Sequence, residues 1–217
     1  MVELNLLKSY PRSKRNITRR KEARDPAKIA LSKEFGEAYF DGDRDTGYGG
    51  YYYDGRWRPV AADIIEHYQL KPGSRVLDIG CAKGFLVKDL MLECPGLEVY
   101  GLDISDYALH NAPEECLSKL CRGDVRKLPF KDQAFDVSIC INVIHNVDVE
   151  GCIESLKEMT RVAGRSFVQV DSWYNEHQMQ LLLDWMLTPL TYRSPDGWRE
   201  IFREAGYNGD YFWTITE

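Results

Sequence analysis

Val76-Leu77-Asp78-Ile79-Gly80-Cys81-Ala82-Lys83-Gly84-Phe85-Leu86 is the stretch that decides the fold. Residues 75–79 are an apolar run of strand length, and 80–84 leave room only for a tight loop. Residues 85–93 carry a helical period until Cys94-Pro95-Gly96 stops it. A strand that turns at once into a helix opens a crossover unit, whose next strand lies parallel to the first. Downstream the rhythm repeats. Residues 97–102 read as a second strand ending at Asp103, 105–112 and 114–117 as helical, and 120–122 as a weak third strand leading to Gly123-Asp124. Residues 135–141 read as the fourth strand, 149–162 as a helix and 165–170 as the fifth strand. Helices over 176–187 and 195–205 precede a final aromatic strand at 210–216. This alternation predicts an α/β fold with a doubly wound, mostly parallel sheet covered by helices on both faces.

Upstream, Asp25-Pro26 is an N-cap followed by a first-turn proline, opening a short helix towards Phe35. Residues 41–55, DGDRDTGYGGYYYDG, have neither a helical nor a strand period. Glycine freedom interleaved with flat tyrosine faces is the composition of a loop that folds over a ligand. A helical period returns over 57–70 and breaks at Lys71-Pro72-Gly73. The expected division is a basic arm and Gly/Tyr-rich lid over 1–56 and a ligand-binding domain over 57–217.

At 217 residues, with 44% hydrophobic and 29% charged residues, the chain can enclose one substantial core. The net charge of −6 hides an asymmetry: residues 1–33 hold ten Lys/Arg against three Asp/Glu. Such an arm either contacts an anionic partner, nucleic acid included, or packs on the acidic body. The absence of aromatic residues between Arg12 and Arg24 argues against a platform for stacking bases. No apolar run approaches the roughly 20 residues that cross a bilayer, and no secretory pattern opens the chain, so a cytoplasmic location without membrane contact is expected. The six cysteines show neither C-x-x-C pairing nor metal-finger spacing, so they read as reduced, small apolar fillers and no metal is expected.

Ligands of open α/β sheets bind beyond the carboxyl ends of the strands, so the residues there carry the function. The first end is the Asp78–Gly84 loop, with Cys81 inside it. Gly80 permits close approach of a ligand, and Gly84 starts the helix. The second is Asp103, placed to accept from both hydroxyls of a ribose; the third is Asp124-Val125, a carboxylate for an exocyclic amine beside an apolar neighbour for a ring face. Dinucleotide sites need G-x-G-x-x-G so that a pyrophosphate can sit on bare amides. Here the spacing is G-x-x-x-G, and Asp78 would repel an anion while suiting a cationic amino group. The electrostatics favour S-adenosylmethionine (SAM) over NAD.

VLDIGCAKGFL, GLDIS, GDVRKLPF and FDVSICINVIHNV together resemble the successive cofactor motifs of class I SAM-dependent methyltransferases, particularly those acting on small molecules. The resemblance covers residues 70–171. It implies a Rossmann-like sheet of seven strands, the last antiparallel, although the tail after Gly206 is short for a full terminal hairpin and one strand is expected near 187–192. It also implies that Asp78, Gly80 and Gly84 hold the methionine end of SAM, Asp103 the ribose and Asp124 the adenine amine. Ile104 and Val125 would flank the ring, with Asn142 beside the transferable methyl.

Methyl transfer needs an in-line nucleophile about 3 Å from the methyl carbon, and a base when the acceptor is a hydroxyl or a protonated amine. His145 is the nearest candidate base, although its position also suits a helix cap. Asp171 and Trp173 face the same cleft. Tyr48, Tyr53, Arg56 and Arg58 are the expected lid residues: the tyrosines near the chemistry, and an arginine available to a carboxylate or phosphate on either ligand, with Arg58 expected at the cofactor. No Asn/Asp-Pro-Pro-aromatic quartet follows the fourth strand, which argues against a flipped-base acceptor. The expected activity is methyl transfer to an O or N atom of a small polar metabolite, such as a sugar or sugar-phosphate. An RNA methyltransferase using the basic arm and a non-catalytic SAM-binding protein are the alternatives.

Overall fold

The computed structural model describes residues 1–11 and 15–217, so Arg12 and Lys14 of the basic segment lie outside the described residues. One sheet is built from β1 (Arg75–Ile79), β2 (Glu98–Asp103), β3 (Leu120–Arg122), β4 (Phe135–Ile141), β5 (Ala163–Ser172) and β6 (Asp210–Ile215). Its order is β3-β2-β1-β4-β5-β6, and every neighbouring pair is parallel. The order reverses between β1 and β4, so the carboxyl ends of these strands flank the ligand crevice.

Side-chain alternation divides the sheet between two cores. Leu77, Ile79, Cys140, Val168 and Val170 face α7 (Val149–Val162) and α9 (Pro195–Ala205), meeting Leu156, Met159, Trp198 and Phe202. Val76, Val137, Ile139 and Phe167 point the other way, against Val60 and Ile64 of α4 (Arg58–Tyr68) and Leu86 and Leu90 of α5 (Phe85–Glu93). Each large apolar side chain buried this way stabilises the fold by about 1.5–3 kcal/mol.

The sheet has six strands rather than the expected seven, and its last strand runs parallel to β5 rather than antiparallel. Two features account for this. After α8 (Glu176–Trp185), residues 187–192 spend their backbone donors elsewhere: Leu190 N and Thr191 N both donate to the His145 carbonyl, at 2.9 and 3.0 Å. α9 then returns the chain to the edge where β5 begins, so the strand that follows must run alongside β5.

The N-terminal segment packs on the edge of β6 and against α4. Leu4 N donates to the Tyr211 carbonyl and Tyr211 N to the Val2 carbonyl, at 2.9 and 3.0 Å, so residues 2–4 occupy part of the β6 edge that would otherwise present unpaired amides. Leu6 is 2% exposed and packs in the cluster with Val60 and Ile64, and the Tyr10 ring lies 4.6 Å from that of Trp57. Basic residues of the arm pair with the acidic body: Lys8 with Asp63 at 3.2 Å, and Lys21 of α1 (Ile17–Glu22) with Asp184 of α8 at 2.9 Å. α2 (Pro26–Ser32) begins as expected, its amides at Ala27 and Lys28 capped by Asp25.

The Gly/Tyr stretch is more ordered than its lack of period suggests. Preceded by α3 (Glu37–Phe40), it folds back so that Tyr48 N donates to the Tyr39 carbonyl and Gly50 N to the Phe40 carbonyl, at 2.8 and 3.2 Å. A Cβ at Gly47 would stand 1.9 Å from the Tyr39 carbonyl oxygen, so glycine is required there by close approach.

If the N-terminal segment belongs to the fold, Leu6→Ala should cost about 2–5 kcal/mol in urea unfolding. A value within about 0.5 kcal/mol of the parent would show that the segment is dispensable.

Candidate cofactor and acceptor site

The loop from β1 to α5 is held in an unusual backbone conformation. Gly80, Ala82 and Gly84 have φ of +73°, +51° and +70°. The left-handed region strains an alanine, and Ala82 is kept there because its N–H donates to Asp103 Oδ2 at 2.7 Å. Gly80 cannot carry a side chain for a second reason: a Cβ would lie 2.1 Å from Val143 Cγ2, in the loop after β4.

Asp78 and Asp103 stand together at the ends of β1 and β2, 4% and 7% exposed. Asp103 is satisfied by the amides of Ala82 and Ser105, the latter at 2.8 Å, which spend two of the roughly four lone-pair sites of a carboxylate and leave acceptor capacity for a ribose. Burial raises its pKa, and these amides oppose the rise. Asp78 has no hydrogen-bond or ion-pair partner among the described residues. Burial, and then the neighbouring Asp103 charge, push its carboxyl up to about 7. An orphan carboxylate at the mouth of a glycine loop fits a cationic amino group and opposes a phosphate.

The lysine inside the same loop does not offset this acidity. Lys83, 4% exposed, places Nζ 2.8 and 2.6 Å from the two carboxylate oxygens of Asp41, which also accepts from Tyr107 Oη at 2.7 Å and Tyr51 N at 3.1 Å. Asp41 therefore latches the lid to the glycine loop and to α6 (Asp106–His110). A lysine between two loop glycines at a strand end was the one sequence signal for this contact. The lid's rings pack in series, with Tyr51 4.8 Å from Phe85 and 4.6 Å from Tyr48.

The other expected cofactor residues fall into two groups. Ile104 is 50% exposed beside Asp103, free to meet a ring face. Cys81 and Val125 instead turn their side chains into the two cores, 5% and 8% exposed, so only their backbones face the loops. Asp124 is gripped by Arg126, with Nε 3.0 Å from Oδ1 and Nη2 2.6 Å from Oδ2, so an adenine amine would share that carboxylate with a guanidinium. Asn142, at φ +57°, accepts from Thr214 Oγ1 of β6 at 3.0 Å, directing its side chain along the sheet edge. Arg58 does not reach the crevice. It pairs with Glu93 at 2.6 Å, at the last residue of α5, about 13 Å along the helix from the glycine loop.

Beyond β4 and β5 a second polar group gathers. His145 is 4% exposed, with Nδ1 3.5 Å from Asp171 Oδ2. Burial pushes its pKa below the ordinary histidine value, against the pull of Asp171 and of a bond to the Asn142 backbone, so the ring is neutral at physiological pH. Tyr48 keeps 41% of its surface accessible, while the adjacent Tyr39 phenol and burial raise its hydroxyl well above the usual value. Tyr39 in turn neighbours Thr188 and feels the charge of Asp171. Tyr53 is not part of this group: its hydroxyl donates to Asp89 Oδ1 of α5 at 2.6 Å, under Lys88, and it fastens the lid from outside. Arg56 is spent on Asp54. Trp173 lines a separate groove of about 420 Å³ with Tyr174, Met179 and Pro195.

Residues 77–168 match a family described as the methyltransferase domain. The sterol 24-C-methyltransferase of Gibberella zeae is 32% identical over 112 residues, covering 46% of this chain and 29% of that protein. The malonyl-[acyl-carrier protein] O-methyltransferase of Legionella pneumophila is 31% identical over 102 residues, covering 45% and 35%. The chain thus spans about a third of the length of these curated relatives. Among solved structures, a SAM-dependent methyltransferase from Archaeoglobus fulgidus shares the fold with a TM-score of 0.54 at 19% identity, over 70% of this chain and 69% of that one. Residues 77–168 thus carry a methyltransferase domain, and with its sheet order and acidic glycine loop the chain is similar to class I SAM-dependent methyltransferases, a likeness that implies S-adenosylmethionine as cofactor.

Proposed function

We propose that the protein transfers a methyl group from SAM to an O or N atom of a small polar metabolite. The observation that carries this reading is the unpaired Asp78 carboxylate beside Asp103 at the glycine loop. Asp78 would take the cofactor's ammonium, Asp103 its ribose hydroxyls, and Ile104 one face of its ring. SAM, when bound, supplies a methyl group on a positively charged sulfur. What the chain adds is position and a proton acceptor. Sterol and acyl-carrier acceptors of the relatives differ so widely that they do not name the acceptor here.

A small acceptor is favoured by the way the lid is held. Asp41 fixes it to the glycine loop and Tyr53 fixes it to α5. Lys8, Arg19, Lys21 and Lys28, half of the described basic residues of the arm, are paired with Asp63, Asp184 and Asp45 and so are not free for a nucleic acid. Within the polar group at β4 and β5, Asp171 is the more open partner, its side chain 16% exposed against 5% for His145. We assign proton removal from the acceptor to Asp171, with the neutral His145 ring behind it as a positioning residue.

Three measurements test this reading. With methyl-labelled SAM and a cell extract, label should enter the small-molecule fraction; label confined to nuclease-sensitive material would contradict it. SAM affinity should fall as pH drops below about 7, approaching about tenfold per pH unit, because binding must then expel the proton from Asp78. Asp78→Asn should bind weakly with no such slope, whereas an equal slope in the variant would remove Asp78 from the site. Asp171→Asn should lower kcat by about 10²–10⁴ and leave SAM affinity in place, while His145→Gln should retain more activity. The reverse ranking would make His145 the base.

A further inference from the structure

Three guanidinium groups meet around one indole on the far side of the lid. The central carbons of Arg15, Arg20 and Arg44 lie 5.2, 4.1 and 5.4 Å from the Trp185 ring centroid. They come from the segment before α1, from α1 and from the lid, and Trp185 closes α8. None of the three forms an ion pair among the described residues. Arg15 donates to Thr216 Oγ1 at 2.8 Å, Arg20 to the carbonyls of Arg44 and Gly47 at 2.6 and 3.0 Å, and Arg44 to the Tyr48 carbonyl at 2.5 Å. The basic residues just outside behave differently: Lys21 takes Asp184, and Arg19 and Lys28 share Asp45.

Gathering like charges under cover opposes their ionisation. Burial, then the Arg44 charge, pull the Arg20 guanidinium down to about 10, with Asp45 giving a smaller opposite pull. Arg15 is lowered by burial and by Arg44, against the attraction of Asp171. Clamping the lid needs only Arg20, which is 7% exposed and bonds two lid carbonyls. Arg15 and Arg44 add repulsion that a clamp does not require. Arginine forks stacked on an aromatic face are the usual means of gripping a carboxylate or phosphate through paired hydrogen bonds.

We propose that Arg15, Arg20 and Arg44 bind an anionic group, a phosphate or a carboxylate, on the small acceptor and so hold its other end against Asp171. The inference rests on the methyl-transfer reading and narrows its substrate class. The cofactor's own carboxylate is not the target, because SAM belongs to the β1 and β2 ends, whereas Asp171 ends β5 and Thr216 follows β6.

Calorimetry and thermal unfolding of the full chain, saturated with S-adenosylhomocysteine, test the site with inorganic phosphate, malonate, glycerol and a mixed-sequence RNA oligonucleotide. Phosphate or malonate should bind and raise Tm, glycerol should not, and the stronger of the two anions identifies the group. The double variant Arg15→Gln/Arg44→Gln should weaken anion binding by about tenfold or more and still bind S-adenosylhomocysteine, which also reports that it is folded. Arg75→Gln, paired with Glu98 at the opposite end of β1 from the site, should leave anion binding as in the parent. The proposal is overturned if neither anion binds the parent, or if the double variant binds as tightly. Oligonucleotide binding that depends on these arginines, and that phosphate and malonate do not displace, overturns it in favour of RNA. Failure of the parent to bind S-adenosylhomocysteine would instead sink the methyl-transfer reading itself.

Discussion

Two carboxylates buried side by side without a cation between them set the terms for this molecule. Burial raises the pKa of Asp103, and the backbone amides of Ala82 and Ser105 that point at it oppose the rise. Asp78 has no such help, and desolvation beside a like charge keeps its proton on to about pH 7. The strained glycine loop follows from this pair: Ala82 is held in the left-handed region so that its amide can serve Asp103. The one lysine that could have neutralised the loop is drawn off to Asp41. What remains is a buried, unpaired carboxylate beside the glycine loop, which favours a positively charged ligand over a phosphate.

The lid ties this pocket to the opposite half of the sheet. At one end Asp41 collects Lys83, Tyr107 and the Tyr51 amide, so a single carboxylate links lid, glycine loop and α6. At the other end Arg20 holds the Arg44 and Gly47 carbonyls and stacks on Trp185 of α8. Between them Tyr51, Tyr48 and Tyr39 run in contact from the neighbourhood of Asp78 to that of Asp171. Cofactor and acceptor would thus share one cover, and a shift at either end would be felt by the same rings.

Much of the fold could be read from local pattern. The runs at 75–79, 120–122 and 135–141 and the helices at 85–93, 149–162 and 195–205 stand at the expected bounds; β1 and β4 are buried along nearly their whole length, α7 and α9 are amphipathic, and glycine or proline breakers bound the others. The terminal strand was less legible: whether 187–192 joins the sheet depends on its amides finding the His145 carbonyl, a contact more than forty residues away. Asp78, Gly80, Gly84 and Asp103 come together at the ends of β1 and β2, because spacing along one strand-loop-helix unit fixes their relative placement, and their cofactor roles are part of the proposal. Arg58 and Tyr53 were misplaced because a loop's composition does not say which rings face inward; Glu93 and Asp89 decided that. The charge of the basic arm was legible, but the meeting of Arg15, Arg20 and Arg44 around Trp185 was not, because they come from three separate segments.

The most direct measurement is a calorimetric comparison of SAM and NAD binding to the purified full chain at pH 7.5. A doubly acidic pocket without phosphate chemistry should bind SAM, and its demethylated product, at micromolar concentration and ignore NAD at millimolar concentration. Equal or tighter binding of NAD would contradict the electrostatic argument on which the site is built.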